Sequence, residues 1–373
     1  MKKFLLTALI SMLILSGCSN TSSSDDMGKT NSKSSETSSA LSSSSNSQAD
    51  TDETVGEINI GESQKSTKKS DTEKEKKSEQ KKVYHNTDVD KAVKNNKPED
   101  LSVSNNYPFY WQDINQTYSN DELTKAFDKL KKICDEADFR LSFSFQNMKT
   151  NSIIAYKDTE DYLTCSTIKA PFVKSLLENN INLQDEIVRD SAMDGDNGTV
   201  ASAPYNTVYT ADELIKYTIE QSDNTAYSLL VKHYGYQNFN NLMYRLGANM
   251  YLGDSWIFTH ASTSDMLKCF TDIYQFAQTN SSGKELIEHM THTDVTTQVT
   301  QALGSKYKVA HKYGSQFPED EDGSAFNDCA IVYADSPFVL CIFTNQYPET
   351  EESSKVFQDL AMVFDDINNL IAN

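Results

Sequence analysis

The chain has 373 residues, with 34 Lys and Arg against 54 Asp and Glu, a formal net charge of −20 and 38% hydrophobic residues. That balance weighs against an unaided nucleic-acid or polyanion binder, which needs clustered Lys and Arg to neutralise phosphates. The averages pool three unlike segments: residues 1–18 carry +2, residues 19–105 carry −3 and residues 106–373 carry −19.

The first segment begins Met1-Lys2-Lys3, runs apolar from Phe4 to Leu15 and ends Leu15-Ser16-Gly17-Cys18. A charged start, a short apolar core and small residues at the cut mark an export signal too short to span a membrane. The last four residues resemble a bacterial lipobox, which implies a signal peptide over 1–17 and lipidation of Cys18. More than one acyl chain there gives durable attachment, so the expected location is extracytoplasmic, lipid-anchored to the bacterial cell membrane. From Ser19 to Asp50, 14 of 32 residues are Ser, and from Glu62 to Lys82 Lys and Glu alternate in runs. Neither stretch can bury enough apolar surface to offset the entropy of ordering it. Residues 18–105 are therefore read as the lipidated Cys followed by a disordered tether, and 106–373 as the folded domain.

Within the domain, Asp121 to Ala137 has helical apolar spacing at Leu123, Phe127, Leu130 and Ile133. Arg140 to Gln146 alternates as a strand, and Ser152 to Tyr156 reads as its hairpin partner. A long helical middle follows from Ser166 to about Met290. Three strand-like runs come next, Lys308 to Ser315, Phe326 to Tyr333 and Phe338 to Thr344, then a helix from Ser353 to Ile371. This order predicts an α+β fold: an antiparallel five-stranded sheet flanked by terminal helices, with a helical lobe. The cleft between sheet and lobe is the natural place for a site.

Three motifs fall in an informative order. Ser166-Thr167-Ile168-Lys169 opens a helical run, and one turn brings positions i and i+3 together, so Lys169 can take the proton of the Ser166 hydroxyl. The spacing alone is weak, since Ser-x-x-Lys also occurs at Ser66, Ser78, Ser281 and Ser305. Ser222-Asp223-Asn224 lies between two helical segments, where an Asp is an ordinary helix-start residue. Lys312-Tyr313-Gly314 lies on a strand, where Lys312 could bind a carboxylate and Gly314 would let a substrate backbone approach.

Together, the motifs resemble those of the serine penicillin-recognising enzymes, the class A β-lactamases and penicillin-binding proteins. The likeness extends to Thr210-Ala211-Asp212-Glu213-Leu214 leading into Gln221 to Ala226, and to Val309 to Gly314 followed by Asn327-Asp328. It implies a β-lactamase-like fold and a serine hydrolase in which Ser166 is acylated by a β-lactam or a D-Ala-D-Ala-like peptide. Lys169 is then its base, Ser222 a proton shuttle and Asn224 a substrate positioner. Lys312 binds the substrate carboxylate, and the backbone N–H groups of Ser166 and Ser315 form the oxyanion hole. It implies β-lactam breakdown, an antibiotic response, no metal or organic cofactor, and a monomer with no nucleic-acid partner.

Three departures shape the expectation. The class A glutamate motif that activates the deacylating water, Glu-x-x-Leu-Asn, is absent between Asn224 and Lys312, and Gly247 to Ser264 offers only Asp254. Misplacing a reacting group by about 1 Å can cost roughly a hundredfold, so acylation is expected to outrun deacylation. That favours, as alternatives, a penicillin-binding or D-Ala-D-Ala peptidase activity in peptidoglycan metabolism, or a non-catalytic cell-wall-binding lipoprotein. Tyr313 replaces the usual small hydroxyl residue, with Ser315 nearby to supply one. Arg is absent after Arg245, which removes a bidentate carboxylate clamp, and Glu319 to Asp322 place four acids beyond Lys312. The cysteines after Cys18 lack metal-ligand spacing, and His311, next to Lys312 on a strand, is expected to point away from the cleft.

Overall fold

The computed structural model describes residues 107–112, 114, 120–190, 198–253, 257–318 and 323–372. Cys18, the signal, the tether, Asp254 and the acidic turn 319–322 lie outside the described residues.

The order begins with strand β1 (Tyr110–Gln112), helix α1 (Asn120–Glu136), β2 (Leu141–Asn147), β3 (Ile153–Tyr156) and β4 (Tyr162–Leu163). A 3-10 turn, Cys165–Ile168, leads into α2 (Lys169–Glu178), followed by β5 (Glu186–Val188), α3 (Thr199–Ser202) and β6 (Val208–Thr210). The helical lobe continues through α4 (Ala211–Glu220), α5 (Asn224–Tyr234), α6 (Gln237–Leu246), β7 (His260–Ala261), α7 (Thr263–Thr279) and α8 (Ser281–Thr291). The chain closes with α9 (Val299–Leu303), β8 (Lys308–Gln316), β9 (Ala325–Tyr333), β10 (Phe338–Thr344) and α10 (Glu351–Ile371).

The main sheet has six strands, one more than the five expected, in the order β1-β3-β2-β10-β9-β8. Every neighbouring pair is antiparallel. The additional strand, β1, pairs only three residues with β3, too few for a period-2 alternation to stand out in the sequence. It is anchored by Phe109 and Trp111, whose rings pack 5.2 Å from Phe127 of α1.

Side chains alternate across the sheet as the pleat requires. On β10, Phe338, Leu340 and Ile342 join the core shared with α1 and α10, while Val339, Cys341 and Phe343 join the core of the helical lobe. Because both faces are covered, β10 reads as a continuous apolar run. Helix α10 presents Phe357, Leu360, Phe364, Ile367 and Ile371 along one face, and Phe364 stacks on Phe145 with centroids 4.9 Å apart. On β8, Val309 faces the terminal helices and Ala310 the lobe. By the same alternation Lys312 and Gly314 face the lobe, and His311 and Ser315 the other side.

Helix starts carry their own signals. Thr210 and Ser262 form capping boxes with Glu213 and Asp265 at the heads of α4 and α7. Among the described residues no helix is long and apolar enough to cross a membrane. Cys134, Cys165, Cys269, Cys329 and Cys341 are buried and not joined in disulfides.

Candidate active site

The Ser166 turn lies where the lobe meets the outer edge of the sheet. Thr164, just before it, donates its N–H and its hydroxyl to the Thr259 carbonyl at 2.9 and 2.6 Å, and Asn327 of β9 donates to the Leu163 carbonyl at 2.8 Å. The backbone then passes through Cys165 at a φ of +47°, a left-handed conformation uncommon for a side chain of this kind. Ser166 is half-buried, whereas Lys169, one turn on, is fully buried at the start of α2.

Strand β8 comes close enough to this turn to leave no room for a side chain at Gly314. A Cβ there would meet the Ser166 nitrogen at 2.7 Å, Cys165 Cβ at 2.9 Å and the Thr164 carbonyl at 2.9 Å. The sequence suggested that Gly314 admits a substrate backbone; what it admits in this structure is the backbone of the Ser166 turn.

The second motif is held by its Asp. Asp223 is fully buried, caps α5 by accepting from the Ala226 N–H at 2.8 Å, and accepts from the Val200 N–H at 2.7 Å through its other oxygen. Gly198 is the residue that allows this, since a Cβ there would fall 2.1 Å from the Asp223 carboxylate. Ser222, wedged between α4 and α5, has a φ of +56°, a conformation that costs about 1–3 kcal/mol and clusters at functional sites. It turns the Ser222 carbonyl toward Lys169.

Two buried lysines converge on Ser222. Lys169 Nζ donates to the Ser222 carbonyl at 2.6 Å, Asn224 Oδ1 at 2.6 Å and Ser222 Oγ at 3.3 Å. The rings of Tyr227 and Phe258 lie 5.7 and 5.8 Å from that ammonium, within cation–π range. Lys312 Nζ donates to the same Ser222 Oγ at 2.9 Å and to the Tyr313 carbonyl at 3.1 Å. Complete burial lowers the Lys312 pKa from 10.5 to about 7, opposed in part by the Asp328 charge. The structure thus brings Lys169, Ser222, Asn224 and Lys312 together, with Ser166 on the turn that Lys169 ends, although the Ser166 hydroxyl is not among these hydrogen-bond partners.

The third motif differs from its sequence reading in two ways. The Tyr313 ring lies 4.5 Å from Lys312 Nζ, and its hydroxyl pKa is pushed up to about 12 by burial and by the charges of Glu349 and Asp294. Ser315 does not supply a spare hydroxyl: it donates to Glu349 Oε1 at 3.0 Å. Glu349 and Asp294 escaped sequence reasoning because each sits in a connection, remote from any motif. His311 points away from the lobe as expected, buried between Thr293 Oγ1 at 2.6 Å and Asp328 Oδ1 at 2.9 Å. A concavity of about 540 Å3 borders this centre at Gln221 and Asp294, lined also by Gly198, Thr199, Ser202 and Ala203. Among the described residues no cluster of His, Cys, Asp and Glu could hold a metal ion.

No curated relative matches the sequence. Solved structures that match include PBP-A in a variant captured as an acyl-enzyme with penicillin G, at 17% identity and a TM-score of 0.56, covering 64% of this chain and 94% of that one. A β-lactamase from Sphaerobacter thermophilus matches at 16% identity and 0.54, covering 67% and 97%. A class A β-lactamase from Mycobacterium abscessus matches at 18% and 0.56, covering 64% and 97%. At these identities the structures establish a shared β-lactamase-like α+β fold. The model of the beta-lactamase enzyme family matches residues 125–367, nearly all of the folded segment, and the chain is accordingly a serine hydrolase belonging to that family.

Proposed function

We propose that this protein is a membrane-anchored acyl-transfer enzyme in which Ser166 attacks the carbonyl of a β-lactam or a related acyl-D-Ala-D-Ala bond. The observation that carries the reading is the convergence of Lys169 and Lys312 on Ser222 Oγ, at 3.3 and 2.9 Å. A hydroxyl has two acceptor lone pairs and one donor hydrogen. With both lone pairs accepting from lysine Nζ groups, the Ser222 hydrogen is left to point at a leaving nitrogen.

The steps balance as follows. Ser166 Oγ bonds to the acyl carbon while its proton passes to the neutral form of Lys169. The carbon–nitrogen bond breaks, the nitrogen takes the Ser222 proton, and a lysine restores it. N–H groups of the Ser166 turn and of the adjoining β8 edge stabilise the carbonyl oxygen as charge develops on it.

Mass spectrometry of the intact chain after exposure to penicillin tests this. An added mass equal to the whole β-lactam is expected on the wild type and none on Ser166→Ala; an unmodified wild type would defeat the proposal. The lack of a glutamate from Gly247 to Ser264 favours slow hydrolysis of the adduct, so the activity lies toward a penicillin-binding protein, as in the PBP-A acyl-enzyme. An adduct lasting hours supports that reading, and rapid nitrocefin turnover refutes it.

The anchor rests on the Leu15-Ser16-Gly17-Cys18 sequence. Cells given a labelled fatty acid should incorporate it into the wild-type chain. Cys18→Ala should lose the label and leave the membrane fraction, and a labelled Cys18→Ala chain would rule out this site.

A further inference from the structure

The concavity of about 540 Å3 beside the lysine pair takes no part in the chemistry above. It is lined by Gly198, Thr199, Ser202, Ala203, Gln221 and Asp294, which include one carboxylate and no Lys, Arg or His. Asp294 is fixed to both walls of the centre. Its N–H donates at 2.9 Å to the carbonyl of Glu220, two residues before Ser222. Its neighbour Thr293 is buried and hydrogen-bonded at 2.6 Å to His311, the residue before Lys312 on β8. The Asp294 side chain is itself exposed, and its carboxylate has no hydrogen-bond or ion-pair partner among the described residues.

The other polar groups of the lining are turned so that they accept. Ser202 Oγ donates its hydrogen to the Gly198 carbonyl at 2.9 Å, which leaves it as an acceptor. Gln221 Oε1 accepts the Thr199 N–H at 3.1 Å and has a second lone pair. A carboxylate among acceptors repels an anion and attracts a cation. The concavity also lies on a definite side of the centre. Gln221 adjoins Ser222, whose hydrogen goes to the departing nitrogen in the mechanism above. The wall from Gly198 to Ala203 is tied to the same motif, since Asp223 accepts from the Val200 N–H at 2.7 Å. The leaving portion of an acyl donor, placed over Ser222, therefore extends toward this concavity.

Resting on the acylation reading, we propose that the concavity is a subsite for a positively charged group on the leaving portion of the acyl donor, an alkylammonium or a pyridinium, with Asp294 as its counter-charge. Lys312 keeps its place as the partner of the donor's own carboxylate. The covalent step is unchanged: Ser166 Oγ bonds to the acyl carbon, the bond to the departing nitrogen breaks, and Ser222 protonates that nitrogen. Asp294 touches no reacting atom in this scheme and acts as a specificity determinant. The charge of −19 on residues 106–373 draws any cation from a distance. The contribution of Asp294 is local, so a single substitution separates it from that general attraction.

The test compares cephaloridine with cephalothin. The two share the acyl side chain, the β-lactam and the carboxylate, and differ on the ring that carries the leaving nitrogen, where one has a pyridinium and the other an acetate ester. Rates are read at low ionic strength from the disappearance of the unmodified full chain by mass spectrometry, because both of those groups depart after ring opening. The wild type should react with cephaloridine about threefold faster or more, the scale of an exposed charge pair. Asp294→Asn should remove most of that preference and Asp294→Lys should reverse it, with melting temperatures showing that both variants fold. Equal rates, or a faster reaction with cephalothin, in the wild type would overturn the inference and leave acylation standing. A cephaloridine preference that survives both substitutions belongs to the surface as a whole and also overturns it. If neither compound modifies the chain, the acylation reading falls and the inference with it.

Discussion

Lys312 carries two demands that pull in opposite directions with pH. Its folded pKa of about 7 lies below the ordinary 10.5, so between those values the unfolded chain binds a proton that the folded chain does not. Stability therefore rises with pH across that window, and below about 7 the folded state bears the cost of burying the charge. Where Lys312 rather than Lys169 returns the proton to Ser222, its charged form is needed, so acylation by that route should fall as pH climbs above 7 while the melting temperature gains. Thermal melts and acylation rates of the wild type from pH 6 to 9 check this, with Lys312→Met as the reference in which the stability slope due to this residue disappears. The same residue marks how far sequence reading reaches. The Lys312-Tyr313-Gly314 order located the lysine, but its burial, its contact with Ser222 and the ring over it depend on the left-handed turn at Ser222 and on β8 approaching the Ser166 turn. Glu349 was invisible for a related reason, since only folding brings it to Ser315, 34 positions earlier in the chain.

Among the elements, α3 and α5 share one carboxylate. Asp223 caps α5 and accepts from the Val200 and Ala201 N–H groups at 2.7 and 3.3 Å, so it joins two helix starts whose positive ends favour it. Removing a cap costs about 1 kcal/mol, and buried N–H groups left without an acceptor cost about 1–3 kcal/mol. Asp223→Ala should therefore lose roughly 2–4 kcal/mol of unfolding free energy in a denaturant titration. It should also slow acylation, because Ser222 and Asn224 on either side lose their alignment with Lys169; an unchanged denaturation midpoint would contradict this account. Helix α4, Ala211–Glu220, falls within the expected helical middle, and β10 spans the predicted Phe338–Thr344. Helical apolar spacing in the one and a continuous apolar run in the other made these legible, whereas β1 was not, being three residues long and defined only by its pairing with β3.

At the scale of the whole molecule, the charge of −20 is concentrated in the folded segment, where residues 106–373 carry −19. Such a surface repels an anionic β-lactam before it reaches the buried lysines. Raising ionic strength from about 0.01 to 0.15 M shortens the screening length from about 30 to 8 Å. The second-order acylation rate for benzylpenicillin should increase, by about twofold or more, over that range. The rate for its methyl ester should stay flat, and stopped-flow measurements with the two compounds distinguish these outcomes. The α+β architecture was readable because the long terminal helices and the core strands carry their own patterns; the separation of charge between surface and cleft was not, since composition does not say which acids line the mouth.

The sheet order puts β1 and β8 at opposite edges, β1-β3-β2-β10-β9-β8. Five inter-strand spacings of about 4.8 Å separate them, roughly 24 Å. A mechanical load applied to the chain ahead of Tyr110 would thus be met first by three residue pairs between β1 and β3 and by the Phe109 and Trp111 rings against Phe127. Those contacts can peel while β8, β9 and the Ser166 turn stay in register. Traction on the N-terminal side is therefore expected to open this short first strand at one edge of the sheet before it disturbs the lysine pair near the other.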